Sequence, residues 1–215
     1  MRQKVAKNLL KIDAVGFKEG EPVRFKSGIL SPVYVDNRKL PSFPKEWRVV
    51  LQGFKKLISD KKITFDLIAG IESAGIPHSA ALGYFLRKPS VFVRKEAKDH
   101  GTKKRVEGGD VRGKKVLLIE DLVTTGGSSL SGVRALREEG AIVKDCIVIV
   151  SYNFKEAIDN FKKYKVRLHS LTSFPDILKE ATSTKKYNVQ TVKLVNTWLK
   201  DPHKWTKEYE SNRKI

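Results

Sequence analysis

Short apolar segments alternate with helix-like segments through the middle of this 215-residue chain. Four of the apolar segments read FDLIA, SVFV, KVLLI and AIVKDCIVIVS, and they span residues 65–69, 90–93, 115–119 and 141–151. Strands that are apolar almost throughout and are joined through helices form parallel sheets that are covered on both faces. The alternation therefore predicts an α/β fold with a central, mostly parallel sheet flanked by helices. In such a sheet, ligands bind beyond the carboxyl ends of the strands.

Further elements are predicted around this sheet. The residues before it indicate an amphipathic helix at 2–14, a hairpin-like segment at 22–38 and a helix at 44–60 that Pro44 opens. Helical spacing and one more apolar run predict helices at 77–86, 129–139 and 155–163 and a fifth strand at 166–171. No repeat, low-complexity stretch or long linker interrupts the sequence. We therefore expect a single domain over residues 1–215.

The chain is strongly basic, with 43 Lys and Arg residues, 24 Asp and Glu residues and a net charge of +19. This charge favours anionic partners, which include nucleic acids, acidic lipids and phosphorylated metabolites. Because the basic residues form no stripe interleaved with aromatic residues, we expect no nucleic-acid partner. No apolar run approaches the ~18 residues of a membrane span, and the first residues lack a signal-peptide core. We therefore expect no membrane partner and a cytoplasmic location.

The most informative motif is VLLIEDLVTTGGSS at residues 116–129. A predicted buried strand leads into the adjacent carboxylates Glu120 and Asp121, and two glycines and four hydroxyl residues follow before a helix begins. Gly126 and Gly127 allow backbone N–H groups to surround an anion, and the helix N-terminus adds partial positive charge. This turn suits a phosphate monoester, whereas the carboxylates suit the neutral hydroxyls of a sugar. Neither a Walker A motif nor a G-x-G-x-x-G motif is present.

A second motif, RKEAKDHGTKKRVEGG at residues 94–109, combines basic residues with glycines and has no apolar periodicity. This composition predicts an exposed loop that is entered directly from a strand. His100 and the cations around it are suited to supply positive charge and a proton as negative charge develops on a leaving group. For Lys103, Lys104 and Arg105 we expect a contribution of charge alone.

The first motif resembles the 5-phosphoribosyl-1-pyrophosphate (PRPP) binding motif of the type I phosphoribosyltransferases. This resemblance implies the fold of that family, with a small N-terminal hood segment at about 1–40, a PRPP-binding core at 62–172 and a C-terminal helix at 190–215. It also implies that Glu120 and Asp121 hold the ribose hydroxyls and that the following turn holds the 5-phosphate. The turn residues implied to bind PRPP are Leu122, Val123, Thr124, Thr125, Gly126, Gly127 and Ser128.

The second motif, with its start VRKEAKDHG, resembles the catalytic loop of the orotate phosphoribosyltransferase family. The resemblance implies a homodimer in which the 94–109 loop reaches the neighbouring active site. Arg94, Lys98 and His100 are then implied to act on PRPP in the neighbouring subunit. Lys95 is implied to contact pyrophosphate in its own subunit.

Three further stretches resemble the same family, and the resemblance covers nearly the whole chain. In FKSGILSPVYVDNR (25–38), Lys26 is implied to contact orotate and PRPP, and Tyr34 is implied to lie near the base. LVNTWLKDPHKWTKEY (194–209) resembles the C-terminal helix of a subgroup known from Gram-positive bacteria. AGIESAGIPHSAAL resembles the loop that binds pyrophosphate, which is built from Ser73, Ala74 and Gly75.

The resemblance implies a Mg²⁺-dependent transfer of the 5-phosphoribosyl group from PRPP to orotate, giving orotidine 5′-monophosphate and pyrophosphate. Lys98, His100 and Asp121 are the implied catalytic residues. Mg²⁺ is the implied cofactor, and we expect ligand oxygens and water to bind it, with no protein metal site.

The chain departs from part of that family in two places. It has Ala74 where some relatives have a lysine, and it reads VSYNF (150–154) where they have an arginine that binds the orotate carboxylate. The Gram-positive subgroup also lacks both features. Lys26, the backbone of the first substrate segment and Thr124 are the candidates for holding the carboxylate.

Two other functions are compatible with parts of the sequence. A purine or uracil phosphoribosyltransferase shares the first motif, but that function does not explain the KDHG and FKSG stretches of this chain. A regulatory protein that binds PRPP or nucleotides and uses its charge on RNA or DNA has no need of an intact acidic pair and catalytic loop.

Residues outside these motifs carry structural expectations. His78 is expected to be structural or to lie near a phosphate. Cys146, inside an apolar strand, is expected to be a small buried apolar residue. Trp198 and Trp205 are seven positions apart on an amphipathic helix and are expected to pack rather than to bind a ligand.

Overall fold

The computed structural model describes residues 1–18, 21–96, 104–184 and 187–212. Helices and strands alternate through most of the described chain. In chain order they are α1 (Arg2–Lys11), β1 (Val15–Phe17), β2 (Val23–Arg24), β3 (Leu30–Ser31), β4 (Val33–Val35), a 3₁₀ helix (Asn37–Ser42), α2 (Pro44–Asp60), β5 (Leu67–Ile71), α3 (Gly75–Leu86), β6 (Ser90–Val93), β7 (Val106–Glu107), β8 (Lys115–Val123), α4 (Gly127–Glu138), β9 (Ile142–Ser151), α5 (Lys155–Lys163), β10 (Arg167–Ser173), α6 (Phe174–Ser183), α7 (Val189–Lys200) and α8 (Pro202–Ser211).

A six-stranded sheet with the strand order β10-β9-β8-β5-β6-β7 lies at the centre. Neighbouring strands from β10 to β6 are parallel, and β7 pairs antiparallel with β6 at one edge. The predicted α/β fold with a mostly parallel sheet is confirmed. Before the sheet, β1 pairs with β4 and β2 pairs with β3, both antiparallel, so the hairpin-like segment at 22–38 is also confirmed.

Both faces of the sheet are buried, because helices cover each of them. α1, α2 and α3 pack on one face, and α4 and α5 pack on the other. Successive residues of a strand point to opposite faces, and β5 shows this: Leu67 and Ala69 join the core under α4, whereas Ile68 joins the core under α3. Strands buried in this way need apolar residues at every position, which explains the apolar runs in the sequence.

The core under α1 and α2 also includes residues from both ends of the chain, among them Val5 and Trp198. Trp198 is fully buried, and its indole Nε1 donates to the carbonyl oxygen of Leu30 over 2.8 Å. The expectation that Trp198 packs is confirmed. The predicted single helix over 190–215 forms two helices, because the ring of Pro202 cannot continue α7 and Asp201 caps α8.

Several boundaries differ from the sequence-based predictions. α1 ends before residue 14, because Asp13 lies in the left-handed region with φ 51°. β8 continues beyond the predicted 115–119, because Glu120 and Leu122 pair with β9. α6 was not predicted, although Ser173 and Asp176 form a capping box at its start.

None of the helices in the described ranges is both long enough and apolar enough to cross a membrane. The single-domain organisation stays a prediction.

Candidate active site

A pocket of about 570 Å³ lies beyond the carboxyl ends of the strands, where the sequence predicts the ligand site. Its lining combines the end of β8, the start of α4, the base of the basic loop and the turn between β2 and β3. The residues are Phe25, Lys26, Ser27, Ile71, Arg94, Lys95, Glu96, Arg105, Leu122, Val123, Thr124, Thr125, Gly126, Gly127, Ser128, Ser129 and Ser131. A larger groove of about 870 Å³ runs along β10, but it does not contain the glycine turn, which lines the smaller pocket. We therefore assign the candidate site to the smaller pocket.

The turn after β8 is fixed by its neighbours. Gly126 has φ 87°, a conformation that glycine adopts without steric cost, and it directly precedes α4. The Asn160 amide, on α5, donates to the Thr125 carbonyl oxygen over 3.0 Å. The first turn of α4 leaves backbone N–H groups without an intrahelical acceptor, and it faces the pocket through Gly127 and Ser128. A preorganised set of N–H donors at a helix N-terminus is suited to bind a phosphate.

The acidic pair lies immediately before this turn, with Glu120 buried and Asp121 partly buried. Glu120 is only 5% exposed, and its carboxylate accepts the backbone N–H of Asp121 over 3.2 Å. Burial raises the pKa of Glu120 well above its ordinary value, and the neighbouring Asp121 charge raises it further. Burial also raises the pKa of Asp121. The Asn37 amide donates to the Asp121 carbonyl oxygen over 3.0 Å and fixes the backbone there. Two carboxyls this close to each other repel when both are ionised, and hydrogen bonds from hydroxyl donors stabilise the ionised form.

Cations gather where the basic loop leaves the sheet. Arg94 and Arg105 exchange backbone and side-chain hydrogen bonds: the Arg94 N–H donates to the Arg105 carbonyl oxygen, and the Arg105 Nε donates to the Arg94 carbonyl oxygen. The Arg105 guanidinium also donates to the Ser131 hydroxyl on α4 over 3.0 Å. Arg105 therefore fixes the base of the loop, which is more than the contribution of charge expected of it. Lys95 donates its backbone N–H to the Glu72 carboxylate over 2.9 Å.

The predicted pyrophosphate loop, residues 73–75, lies against the end of β8. A Cβ added at Gly75 would lie 2.8 Å from the carbonyl oxygen of Ile119, so only glycine permits this close approach. The loop thereby lies next to Glu120, and Ala74 precedes the first turn of α3. Residues 73–75 do not line the 570 Å³ pocket, and their contact with pyrophosphate stays a prediction.

Of the other predicted site residues, Arg94, Lys95 and the turn residues 122–128 line the pocket, whereas Glu120 and Asp121 directly precede the lining residue Leu122 and are not part of the lining. Lys26 and Thr124 both line the pocket. The Tyr34 ring packs over Gly16 on β1, outside the pocket lining. Lys98 and His100 lie outside the described residues.

Sequence reasoning missed five lining residues and one supporting residue. The only hints at a role for any of them were the positions of Phe25 and Ser27 beside Lys26 and of Glu96 beside Lys95. The six residues are Phe25, Ser27, Ile71, Glu96, Ser131 and the supporting Asn37.

His78 and Cys146 have structural surroundings. The Trp47 indole N–H donates to Nδ1 of His78 over 3.0 Å, and burial lowers the pKa of His78 to about 4. His78 is therefore a neutral residue packed against α2, which fits the structural alternative. Cys146 is fully buried in β9, as predicted.

Comparison with known proteins identifies the family. The chain matches the model of the phosphoribosyl transferase domain family over residues 44–183. The orotate phosphoribosyltransferase of Coxiella burnetii is 39% identical over 94% of this chain and 96% of its own length. That of Enterococcus faecalis is 37% identical over 95% of this chain and 98% of its own length.

Solved structures agree with these sequence matches. An orotate phosphoribosyltransferase from Aeropyrum pernix superimposes with a TM-score of 0.74 at 30% identity and covers 83% of this chain and 98% of its own. UMP synthase from Leishmania donovani gives a TM-score of 0.81 at 27% identity over 92% of this chain, which spans 42% of that longer protein. The fold and the phosphate turn define a phosphoribosyltransferase. Within that class, the chain belongs to the orotate phosphoribosyltransferase family.

Proposed function

We propose that the chain transfers the 5-phosphoribosyl group from PRPP to orotate in the biosynthesis of UMP. The observation that carries the proposal is a set of three groups around one pocket: the phosphate turn that lines it, the acidic pair of β8 directly before the lining residue Leu122, and Lys26 in the lining. These groups match, in order, the 5-phosphate, the ribose hydroxyls and an anionic base. The relatives named orotate phosphoribosyltransferase support the same assignment. We also propose a cytoplasmic location, since PRPP and orotate are water-soluble metabolites.

The reaction needs positioning and charge more than covalent help. The bond from ribose C1 to the pyrophosphate oxygen breaks, a ring nitrogen of orotate bonds to C1, and that nitrogen loses its proton. Positive charge develops on the ribose, and the adjacent carboxylates Glu120 and Asp121 are placed to stabilise it. Negative charge develops on pyrophosphate, for which Arg94 and Lys95 supply cations at the pocket wall. The turn holds the 5-phosphate and so fixes C1 between the two reacting groups.

Mg²⁺ is part of this proposal. Among the described residues, no three His, Cys, Asp or Glu side chains are grouped as a metal site. The pocket mainly presents N–H, hydroxyl and cationic groups, which bind anions and not metals. The cation therefore fits if PRPP oxygens and water supply most of its ligands. When bound, it neutralises charge on the pyrophosphate.

We also propose that the active form is a homodimer in which the 94–109 loop reaches the neighbouring site, carrying Lys98 and His100. Arg94, Lys95 and Arg105 line the pocket of their own chain, so the crossing is proposed for Lys98 and His100, which lie between them in the sequence. Mixing Lys98→Ala and Asp121→Asn subunits tests this directly. If the loop crosses, a hybrid dimer has one site with both defects and one intact site, so activity returns. No recovery in verified hybrid dimers contradicts the crossing.

An assay of base specificity tests the proposed reaction. Loss of orotate absorbance is followed with PRPP and Mg²⁺, while uracil, adenine, hypoxanthine and xanthine are tested in parallel. Consumption of orotate alone is the expected result. Turnover of another base contradicts the proposed substrate, and PRPP binding without any turnover favours a regulatory protein on this fold.

A further inference from the structure

Tyr152 occupies an unusual position at the end of β9. It is 2% exposed, and its phenolic hydroxyl has no hydrogen-bond partner among the residues that the structure describes. A buried hydroxyl without a partner loses its bonds to water and gains none in return, which destabilises the folded state. Removing that hydroxyl would leave an equally well-packed phenylalanine. The hydroxyl is therefore a buried donor whose hydrogen bond is available to a ligand.

The ring of Tyr152 is held in place on several sides by other aromatic rings. It stacks on Phe174 with centroids 4.9 Å apart and an interplanar angle of 12°, and on Phe154 at 5.4 Å. The indole of Trp198 packs edge-on at 5.6 Å. The phenol is therefore preorganised, and little conformational freedom is lost when its hydroxyl meets a ligand.

The contacts of Tyr152 place it beside the part of the candidate pocket that Phe25 and Lys26 line. Its backbone N–H donates to the carbonyl oxygen of Val123 over 3.0 Å, so it lies beside the start of the phosphate turn. Its ring contacts Phe25, 5.6 Å away between centroids, and Phe25 lines the pocket next to Lys26. Leu122 likewise lines the pocket and packs on the same core.

The chemistry of the hydroxyl suits an anionic acceptor. Burial raises the pKa of Tyr152, and the charge of Asp121 raises it further, so the phenol keeps its proton. A neutral phenol is a hydrogen-bond donor, and a donor preorganised in an apolar site bonds strongly to a carboxylate. Lys26, at the tip of the same hairpin as Phe25, supplies a positive charge nearby.

We propose that the Tyr152 hydroxyl recognises the carboxylate of the pyrimidine base, once Phe25 at the hairpin tip moves aside. This inference rests on the proposed function, because it names the group that distinguishes orotate from uracil. Tyr152 is then a specificity-determining residue whose effect is confined to the base.

The test compares two nucleotides that differ only in the carboxylate, orotidine 5′-monophosphate and uridine 5′-monophosphate. Their dissociation constants are measured by calorimetry for the wild type, Tyr152→Phe and the control Tyr84→Phe, whose ring is 90% exposed. Because a hydrogen bond to a charged group is lost, Tyr152→Phe is expected to bind orotidine 5′-monophosphate about 10- to 100-fold more weakly. Binding of uridine 5′-monophosphate should stay within twofold, and Tyr84→Phe should match the wild type.

Steady-state kinetics provide a second readout. Tyr152→Phe should raise the KM for orotate and leave the KM for PRPP within twofold, and its thermal stability without ligand should equal or exceed that of the wild type. Unchanged binding of both nucleotides overturns the inference, and so does an equal loss for both, which indicates a change of shape. If the wild type itself neither binds orotidine 5′-monophosphate nor consumes orotate, the proposed function fails instead.

Discussion

The two adjacent glycines of the phosphate turn are expected to respond in opposite ways to alanine. At Gly126, φ is 87°, and an alanine held in this left-handed region costs about 1–2 kcal/mol. The added Cβ would also lie 2.8 Å from Cε2 of Phe161, a ring that is only 2% exposed and so has little room to move. Overpacking of this kind costs about 1–3 kcal/mol. Gly126→Ala should therefore lower the free energy of unfolding by about 2–5 kcal/mol.

Gly127 is the matched control, because it is the first residue of α4 and a Cβ there would meet no atom of the described residues within 4 Å. Gly127→Ala should leave the free energy of unfolding unchanged or raise it by about 0.4–1 kcal/mol, since alanine has less freedom in the unfolded chain. Urea unfolding followed by circular dichroism, with linear extrapolation to water, measures both values. If Gly126→Ala is as stable as Gly127→Ala, the described geometry of the turn is refuted.

Three further predictions concern charge. PRPP should bind more weakly as the pH falls, because the ribose hydroxyls donate to an ionised Glu120 whose pKa burial raises. Calorimetry should show that the affinity for PRPP changes less with pH in Glu120→Gln than in the wild type, and an unchanged pH dependence would contradict the role of the carboxyl. The free energy of unfolding should fall by up to about 3 kcal/mol between pH 6.5 and 4, because His78 has a pKa of about 4 when folded, so the unfolded state binds more protons in this range; denaturant titrations of His78→Gln should lack that part of the loss, and an identical loss would exclude His78. Lys98→Ala should lower kcat strongly and change the stability of the fold little, whereas Lys104→Ala should change kcat little. An unchanged kcat in Lys98→Ala would contradict the catalytic role of Lys98.

Local sequence signals were sufficient to predict the elements whose cause is local. The apolar runs, Pro44 at the start of α2 and Gly126 before α4 each determine structure through neighbouring residues. The length of β8 could not be predicted in this way, because its last residues are strand only through pairing with β9. The local sequence does not predict a strand end that depends on pairing with residues distant in sequence.

The candidate site shows the same division. The phosphate turn and the acidic pair were predicted because two carboxylates followed by two adjacent glycines at the end of a strand suit few functions. The location of Tyr34 depended on packing across β1 and β4, where its ring covers Gly16. The role of Arg105 depended on Ser131, 26 residues away on α4. Burial of the Tyr152 hydroxyl results from aromatic residues on four separate elements and loops, and no local pattern signals it.

A crystal structure with orotidine 5′-monophosphate tests the central claim most directly, because a product complex shows all three parts of the site at once. We expect the 5′-phosphate on the backbone N–H groups of residues 124–128, the ribose hydroxyls on Glu120 and Asp121, and the base towards Lys26. A nucleotide bound elsewhere, for example in the groove along β10, or bound in the pocket with its phosphate away from the turn, would contradict the account.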